Sequence, residues 1–262
     1  MIQDPAARAF RPLYFDSHPD PLGAVSLPVA THLLRRGLLE DDKRLLLAGC
    51  DPTSRLEDIR AELFRCGWIE PPRHEQMPVT DGPHGVELAR LDRSALRILG
   101  FWAQKVHING LVEPDRPGGP QVWISRRSDL APSNPGRWDT LVAGGRAAGH
   151  SLLQTAAREG WEEAGIECVQ MTGLTHVGDM AVQYVSRRGF HQELLVIHDL
   201  ALPRDFVAVC RDGEIEESIR LSFDDLVIRL ADAREFKFSS YLVLTDLVGR
   251  KRGGSVKLHQ CL

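Results

Sequence analysis

The 262-residue sequence predicts an α/β protein in two parts, a smaller α+β region over residues 1–100 followed by an α/β region over residues 101–262. Three observations predict it. Helix-like apolar spacing dominates before residue 100, whereas longer alternating runs dominate after it. Two of those runs, 102–112 and 121–127, flank the turn residues Pro117, Gly118 and Gly119 in the manner of a hairpin. A glycine-bearing loop then opens one helix that carries three glutamates, and further strands follow.

Taken in order, the segment up to about Asp20 is mixed and proline-bearing and reads as a loop or arm. Pro28–Arg36 has helical spacing that Gly37 can end. RLLLA, from Arg44 to Ala48, is too short for its period to separate strand from helix. Behind Asp51-Pro52, Thr53 or Ser54 can cap a helix with Leu56, Ile59, Leu63 and Phe64 on its apolar face, closing near Gly67. Trp68 to Pro83 is interrupted by four prolines, with a turn at Asp81-Gly82. Val86 to Leu91 alternates as a strand, and Ser94 begins a short helix through Ile98.

From Phe101 the pattern changes. WAQKVHINGLV and QVWISRR pair as a hairpin, a proline-bearing loop covers Leu130 to Gly136, and WDTLVAGG leads into a loop containing Gly144, Gly145 and Gly149. In SLLQTAAREGWEEAGI, Ser151 and Gln154 fit a capping box and Gly165 can close the helix in a left-handed conformation. Gly160 in the interior costs about 1 kcal/mol relative to alanine and suggests close approach of another backbone. Two strands joined at Arg187, Arg188 and Gly189 follow. IEESIRLS then reads as an edge strand that turns at Ser222-Phe223 into an amphipathic helix, FDDLVIRLAD. A helix from Ser239 or Ser240 through Leu247 precedes a polar tail, KRGGSVKLHQ.

With 43% hydrophobic and 26% charged residues, the composition is that of a globular protein. A formal net charge of −4 argues against a general nucleic-acid or anionic-membrane binder. The five cysteines form no C-x-x-C pair, so they read as buried or incidental free thiols in a reducing compartment. Neither a signal peptide nor an 18-residue apolar run is seen. A cytoplasmic protein acting on a small molecule is the expectation, with no nucleic-acid or membrane partner, and a homodimer is compatible with it.

The acidic helix carries the chemistry. Glu159, Glu162 and Glu163 lie three and four residues apart, which stacks their carboxylates on one side of a helix. Like charges there repel unless a hard divalent cation sits between them, and Mg²⁺ is held by carboxylates together with substrate phosphates. The bland alternative is a solvated acidic face.

The segment resembles the Nudix box, G-x5-E-x7-R-E-U-x-E-E-x-G-U, where U is a bulky aliphatic residue. Gly144, Arg158, Glu159, Glu162, Glu163, Gly165 and Ile166 fall on it, whereas His150 and Gly160 stand in place of a glutamate and a bulky residue. The resemblance implies an α/β/α sandwich with a mixed sheet and a hydrolase that splits a diphosphate linkage with Mg²⁺, or Mn²⁺ as a substitute. It implies Glu162 and Glu163 as main metal ligands, Glu159 as a further ligand or a base, and Arg158 as a residue orienting a carboxylate. A carbonyl of Gly144 or Gly145 is a candidate extra ligand. Glu216, with Glu217 beside it, is the candidate carboxylate from outside the box, against the reading of an exposed charged edge strand.

Arg126, Arg127, Arg187 and Arg188 are candidates for diphosphate binding, because guanidinium forks suit phosphate oxygens, or are simply solvated. His107 and Asn109 either face the cleft or satisfy buried backbone groups. His150 contacts a phosphate or faces solvent, and Trp138 and Trp161 stack on a ring or belong to the core. Beyond the box, KVHINGLV, WDTLVAGG and LPRDFVAVCRDGEIEESIRL look like a Nudix branch that carries an N-terminal domain of unknown function. In some eukaryotes that unit is fused to thiamine pyrophosphokinase, and the first box glutamate is often missing. That likeness implies thiamine diphosphate or its oxidised derivatives as substrate. A nucleoside diphosphate derivative is one alternative, and a catalytically silent binding module, motivated by His150 and Gly160, is another.

Overall fold

The computed structural model describes residues 9–252 apart from 17 and 114–119. The expected turn at Pro117, Gly118 and Gly119 and the end of the polar tail lie outside the described residues. Two compact units divide the chain. The first comprises Met1–Gln104, Arg146–His150 and Ala181–Leu194, and the second Lys105–Gly145, Ser151–Met180 and Leu195–Leu262.

The first unit opens with strands β1 (Phe10–Phe15) and β2 (Gly23–Ser26), helix α1 (Leu27–Arg35) and strands β3 (Glu40–Asp42) and β4 (Arg44–Leu47). These strands form one sheet in the order β2-β1-β4-β3, with β1 and β4 parallel and the other neighbours antiparallel. The expected arm therefore contains a strand. Leu13 and Phe15 of β1 alternate into the core, and its parallel partner β4 lies some thirty residues further along the chain, beyond the reach of local pattern reading.

Helix α2 (Pro52–Arg65) follows. Asp51 rather than Thr53 or Ser54 caps it, its carboxylate accepting the Ser54 N–H at 3.1 Å while proline fills the first turn. Strands β5 (Gln76–Thr80) and β6 (Glu87–Asp92) make an antiparallel pair, so the proline-interrupted stretch also holds a strand. Pro78 is tolerated because β5 pairs on one side only. Asp92, not Ser94, caps the short helix α3 (Arg93–Leu96). Leu33 of α1, Leu56, Ile59 and Leu63 of α2, and Leu13, Leu45 and Leu47 of the sheet share one core.

Later segments return to this unit. The Ala148 N–H donates to the Gln76 carbonyl at 2.8 Å, and the Gln192 amide donates to the Gly100 carbonyl at 2.7 Å. At Gly189, φ is +126° and an added Cβ would lie 2.5 Å from the Arg97 carbonyl oxygen, so glycine is required there.

The remaining elements are β7 (Trp102–Val112), β8 (Gln121–Arg127), β9 (Trp138–Thr140), β10 (Val142–Gly145), α4 (Leu152–Ala164), α5 (Cys168–Met171), β11 (Thr175–Ser186), β12 (Gly189–Ala201), β13 (Ile215–Ser222), α6 (Phe223–Arg229) and α7 (Phe238–Arg252). Their sheet runs β11-β12-β7-β8-β13, with β10 pairing β7 and β9 pairing β8. Strand alternation defines its two faces in the second unit. Trp123 of β8 joins Val106, Ile108, Ala156, Ala164 and Leu200 in one core. Its neighbours Val122 and Ile124 join Leu226, Leu244 and Leu247 in another. Helix α4 thus covers one face and α6 and α7 the other, the three-layer arrangement expected. Helix α7 is longer at both ends than its sequence suggested, beginning at Phe238 and taking in Lys251 and Arg252.

Candidate active site

Helix α4 is fixed at both ends. The Ser151 hydroxyl accepts the Gln154 N–H at 3.1 Å and the Gln154 side chain accepts the Ser151 N–H at 2.8 Å, a reciprocal capping box. At the other end Gly165 takes φ 68°, and its N–H and that of Ile166 bond the Trp161 and Gly160 carbonyls. The three atoms nearest an added Cβ on Gly160 all belong to side chains. A Cβ there would meet the side chains of Ile166 and Met171 at 3.6 Å, ordinary van der Waals contact, which corrects the close approach expected for it.

The buried face of α4 includes Ala156, Glu159, Gly160, Glu163 and Ala164. Two glutamates therefore ride on the apolar side, and Glu162 is half-buried. The Ala143 N–H donates to Glu163 Oε2 at 2.8 Å, tying the helix to β10. Gly144 is the next residue, and a Cβ on it would sit 2.0–2.3 Å from the Glu159 side chain. Only glycine leaves room for that carboxylate against the strand backbone. Arg158 donates to Glu162 at 2.8 Å and to Glu159 at 2.5 Å.

The three carboxylates do not converge as the helical spacing suggested. Among the described residues, they are not all within 4.8 Å of one another. Arg158 pairs with two of them, and Glu163 accepts a backbone N–H instead. Burial, then the negative charges of Glu159 and Asp139, push the Glu163 carboxyl well above its usual range. A hard cation would relieve that repulsion, and the available donors are all carboxylate or carbonyl oxygens, so the residues fit a magnesium-class ion.

A second charged cluster was not legible in the sequence. Buried Asp139 of β9 accepts from Lys237 Nζ at 2.7 Å, from the Ser240 hydroxyl and from the Thr140 N–H, with Arg127 at 3.7 Å. Burial opposes its ionisation, but the charges of Lys237, His107 and Arg127 outweigh it and bring Asp139 to about 2. An acid inside the apolar run WDTLVAGG was the one available signal; Lys237 belongs to no motif.

The structure places the other candidates as follows. Arg127 is buried and also pairs with Glu214 at 3.0 Å, so it belongs to the Asp139 cluster and not to a surface. His107 is buried, with Nδ1 3.0 Å from the Thr140 hydroxyl. Asn109 is buried and donates to Asp199, which Arg250 of α7 also holds. Arg126 is partly exposed and pairs with Glu216 at 2.9 Å and Glu217 at 2.7 Å, so those carboxylates are engaged with a β8 arginine. Arg187 and Arg188 are exposed, as is His150. Trp138 is buried in the core. Trp161 is exposed, with Arg211 stacked 3.8 Å above its ring.

In the second unit a glycine strand end thus abuts a helix bearing three glutamates, two of them buried. The NUDIX domain profile matches residues 106–242, and the chain belongs to the Nudix family. It is 32% identical over 178 residues to Nudix hydrolase 24, chloroplastic, of Arabidopsis thaliana, covering 68% of this chain and 48% of the relative. It is also 32% identical over 200 residues to Nudix hydrolase 20, chloroplastic, of the same plant, covering 76% and 53%. The chain thus spans about half the length of the curated relatives it matches. A crystal structure from Deinococcus radiodurans is similar with a TM-score of 0.49 and 20% identity, over 68% of this chain and 99% of that one.

Proposed function

We propose that the protein is a Mg²⁺-dependent hydrolase that splits a diphosphate linkage. The observation that carries this reading is the α4 array: Glu159, Glu162 and Glu163 in box register, with Gly144 abutting Glu159. Glu162, Glu163 and Glu159 would hold the ion, with the Gly144 carbonyl and Glu216 as further candidate ligands. When bound, such an ion neutralises phosphate oxygens and lowers the pKa of water. The chain's own part is positioning. Arg158 holds Glu159 and Glu162 in fixed rotamers, the Ala143 N–H holds Glu163, and the capped helix keeps all three on one scaffold. Glu159 is also the candidate base that takes a proton from the attacking water. Arg126, being partly exposed, is the first candidate to meet substrate phosphate, ahead of Arg127, His107 and Asn109.

Thiamine diphosphate or an oxidised derivative, yielding the monophosphate and phosphate, is the proposed substrate. Its support is the likeness of the flanking segments to one Nudix branch, since a fold does not name a substrate. The proposed compartment is the cytoplasm; the chloroplast designation of the two plant relatives belongs to those proteins. Among the described residues, no helix is long and apolar enough to cross a membrane.

The test is phosphate and monophosphate release from thiamine diphosphate, its oxidised forms, ADP-ribose and a nucleotide sugar, with Mg²⁺, for wild type and Glu162→Gln. The expected result is turnover that falls by about 10²–10³-fold in the variant. A preference for ADP-ribose or the nucleotide sugar would move the substrate to nucleoside diphosphate derivatives. A folded wild type that binds Mg²⁺ yet turns over none of them would favour a silent binding module.

A further inference from the structure

Helix α1 and the C-terminal end of α2 bring together three side chains that no box residue touches in sequence: His32, Glu62 and Cys66. His32 Nε2 lies 2.8 Å from Glu62 Oε1, Cys66 Sγ lies 3.5 Å from the same oxygen, and Cys66 Sγ lies 3.6 Å from His32 Nε2. These donor atoms are all within 4.8 Å of one another, and no other three His, Cys, Asp or Glu side chains among the described residues are so placed.

The spacing has a chemical meaning. In a tetrahedral zinc site, with Zn–S near 2.3 Å and Zn–N near 2.0 Å, neighbouring sulfur and nitrogen ligands stand about 3.5 Å apart and two N/O ligands about 3.3 Å. The two sulfur edges observed here already match. The third, now a hydrogen bond, needs to open by about 0.5 Å to that same tetrahedral edge. Glu62 lies in the last turn of α2 and Cys66, four residues on, is the C-cap of that helix, so the helix end fixes their pairing, and His32 is presented from α1.

A cavity of about 320 Å³ lined by Arg36, Leu38, Asp58, Ala61, Glu62 and Arg65 opens beside the carboxylate and gives solvent access to it. Arg65 Nε donates to Glu62 Oε2 at 3.0 Å, an outer hydrogen bond that orients the carboxylate while Oε1 faces His32 and Cys66. Arg36 and Arg65 also reach Oε1, at 3.0 and 2.8 Å. Glu62 itself is only 8% exposed, so an ion at Oε1 has to displace both of these bonds. The two arginine side chains, 53% and 60% exposed, have solvent to move into, and the Arg65 Nε bond to Oε2 is the one that has to remain.

We propose that His32, Glu62 and Cys66 form a binding site for a zinc-class transition-metal ion, with one coordination position left to water. The ligand set excludes magnesium, because imidazole and thiolate favour softer metals than carboxylates alone do. The Cys66 thiol gives its proton to solvent as the ion binds. The site takes no residue from α4 and does not depend on the hydrolase reading.

The test uses the full chain in excess Mg²⁺, titrated with Co²⁺ as a spectroscopic stand-in for Zn²⁺. One bound Co²⁺ with a thiolate-to-metal charge-transfer band is expected, and the band disappears in Cys66→Ser. Zn²⁺ affinity falls at least about tenfold in Cys66→Ser and in His32→Ala. Because either variant can lose its fold, X-ray absorption of the zinc-loaded wild type is measured alongside, with one sulfur among the ligands expected. Oxygen and nitrogen ligands only, or a band and affinity unchanged in both variants, overturns the proposal.

Discussion

Around Asp139, at β9, the second unit gathers Lys237, Arg127 and the Ser240 hydroxyl in direct contact, whereas around Glu163, on α4, it supplies one N–H from Ala143 and a smaller share of the Lys237 charge against two negative neighbours. Both side chains are buried, at 2% and 3% exposure. Burial therefore does not distinguish them. The in-chain cations do: one carboxyl is brought to about 2 and the other pushed well above its usual range. Asp139 therefore has its countercharge within the chain, and Glu163 has it only in part.

The pH behaviour follows with opposite signs. Asp139, depressed from 3.8, contributes stability that is present above about 4 and lost as pH falls toward about 2. Glu163, raised, contributes at low pH and loses that contribution as pH rises through its elevated value.

The largest expected effect comes from Asp139→Asn, which strands the Lys237 charge in the interior. A loss of about 3–5 kcal/mol is expected from urea unfolding at neutral pH, shrinking as pH approaches 2. Wild-type-like stability would break the contrast by showing Lys237 solvated. Next is Glu163→Gln, whose amide oxygen can still accept the Ala143 N–H but carries no charge. Stability at pH 8 should rise by about 1 kcal/mol, and the Mg²⁺-induced increase in Tm should vanish; a destabilised variant would mean that Glu163 is already compensated. The smallest effect is for Gly160→Ala, which changes α4 without touching its charges. A gain of about 0.5–1 kcal/mol in thermal unfolding is expected, with Mg²⁺ dependence unaltered. A loss would show that Ile166 and Met171 cannot accommodate the methyl.

Local chemistry made some of this readable in the sequence. Strands β7 and β8 were legible to the residue, because their alternating runs are long and bounded by turn chemistry. The α4 cap and its Gly165 terminus were legible because capping is a contact between near neighbours. Strand β1 was not, since its pairing with β4 joins residues some thirty positions apart and Pro12 obscures its pattern. The same holds for the site. Spacing on one helix exposed Glu159, Glu162 and Glu163, whereas the Asp139–Lys237 bond spans 98 residues and no spacing rule reaches it. Burial of Arg127, His107 and Asn109 also depends on partners from distant elements: Glu214, Thr140 and Asp199.

The return of Arg146–His150 and Ala181–Leu194 to the first unit has an evolutionary reading. A module that borrows its backbone from two later stretches of chain cannot be gained, lost or exchanged by a single crossover near residue 100. Cutting there would separate Gln76 from Ala148 and Gly100 from Gln192, leaving unpaired carbonyls on the N-terminal product and unpaired N–H donors on the other. A fragment ending near residue 100 is therefore not the whole of the first unit, and it lacks the Ala148 and Gln192 donors that its own carbonyls use.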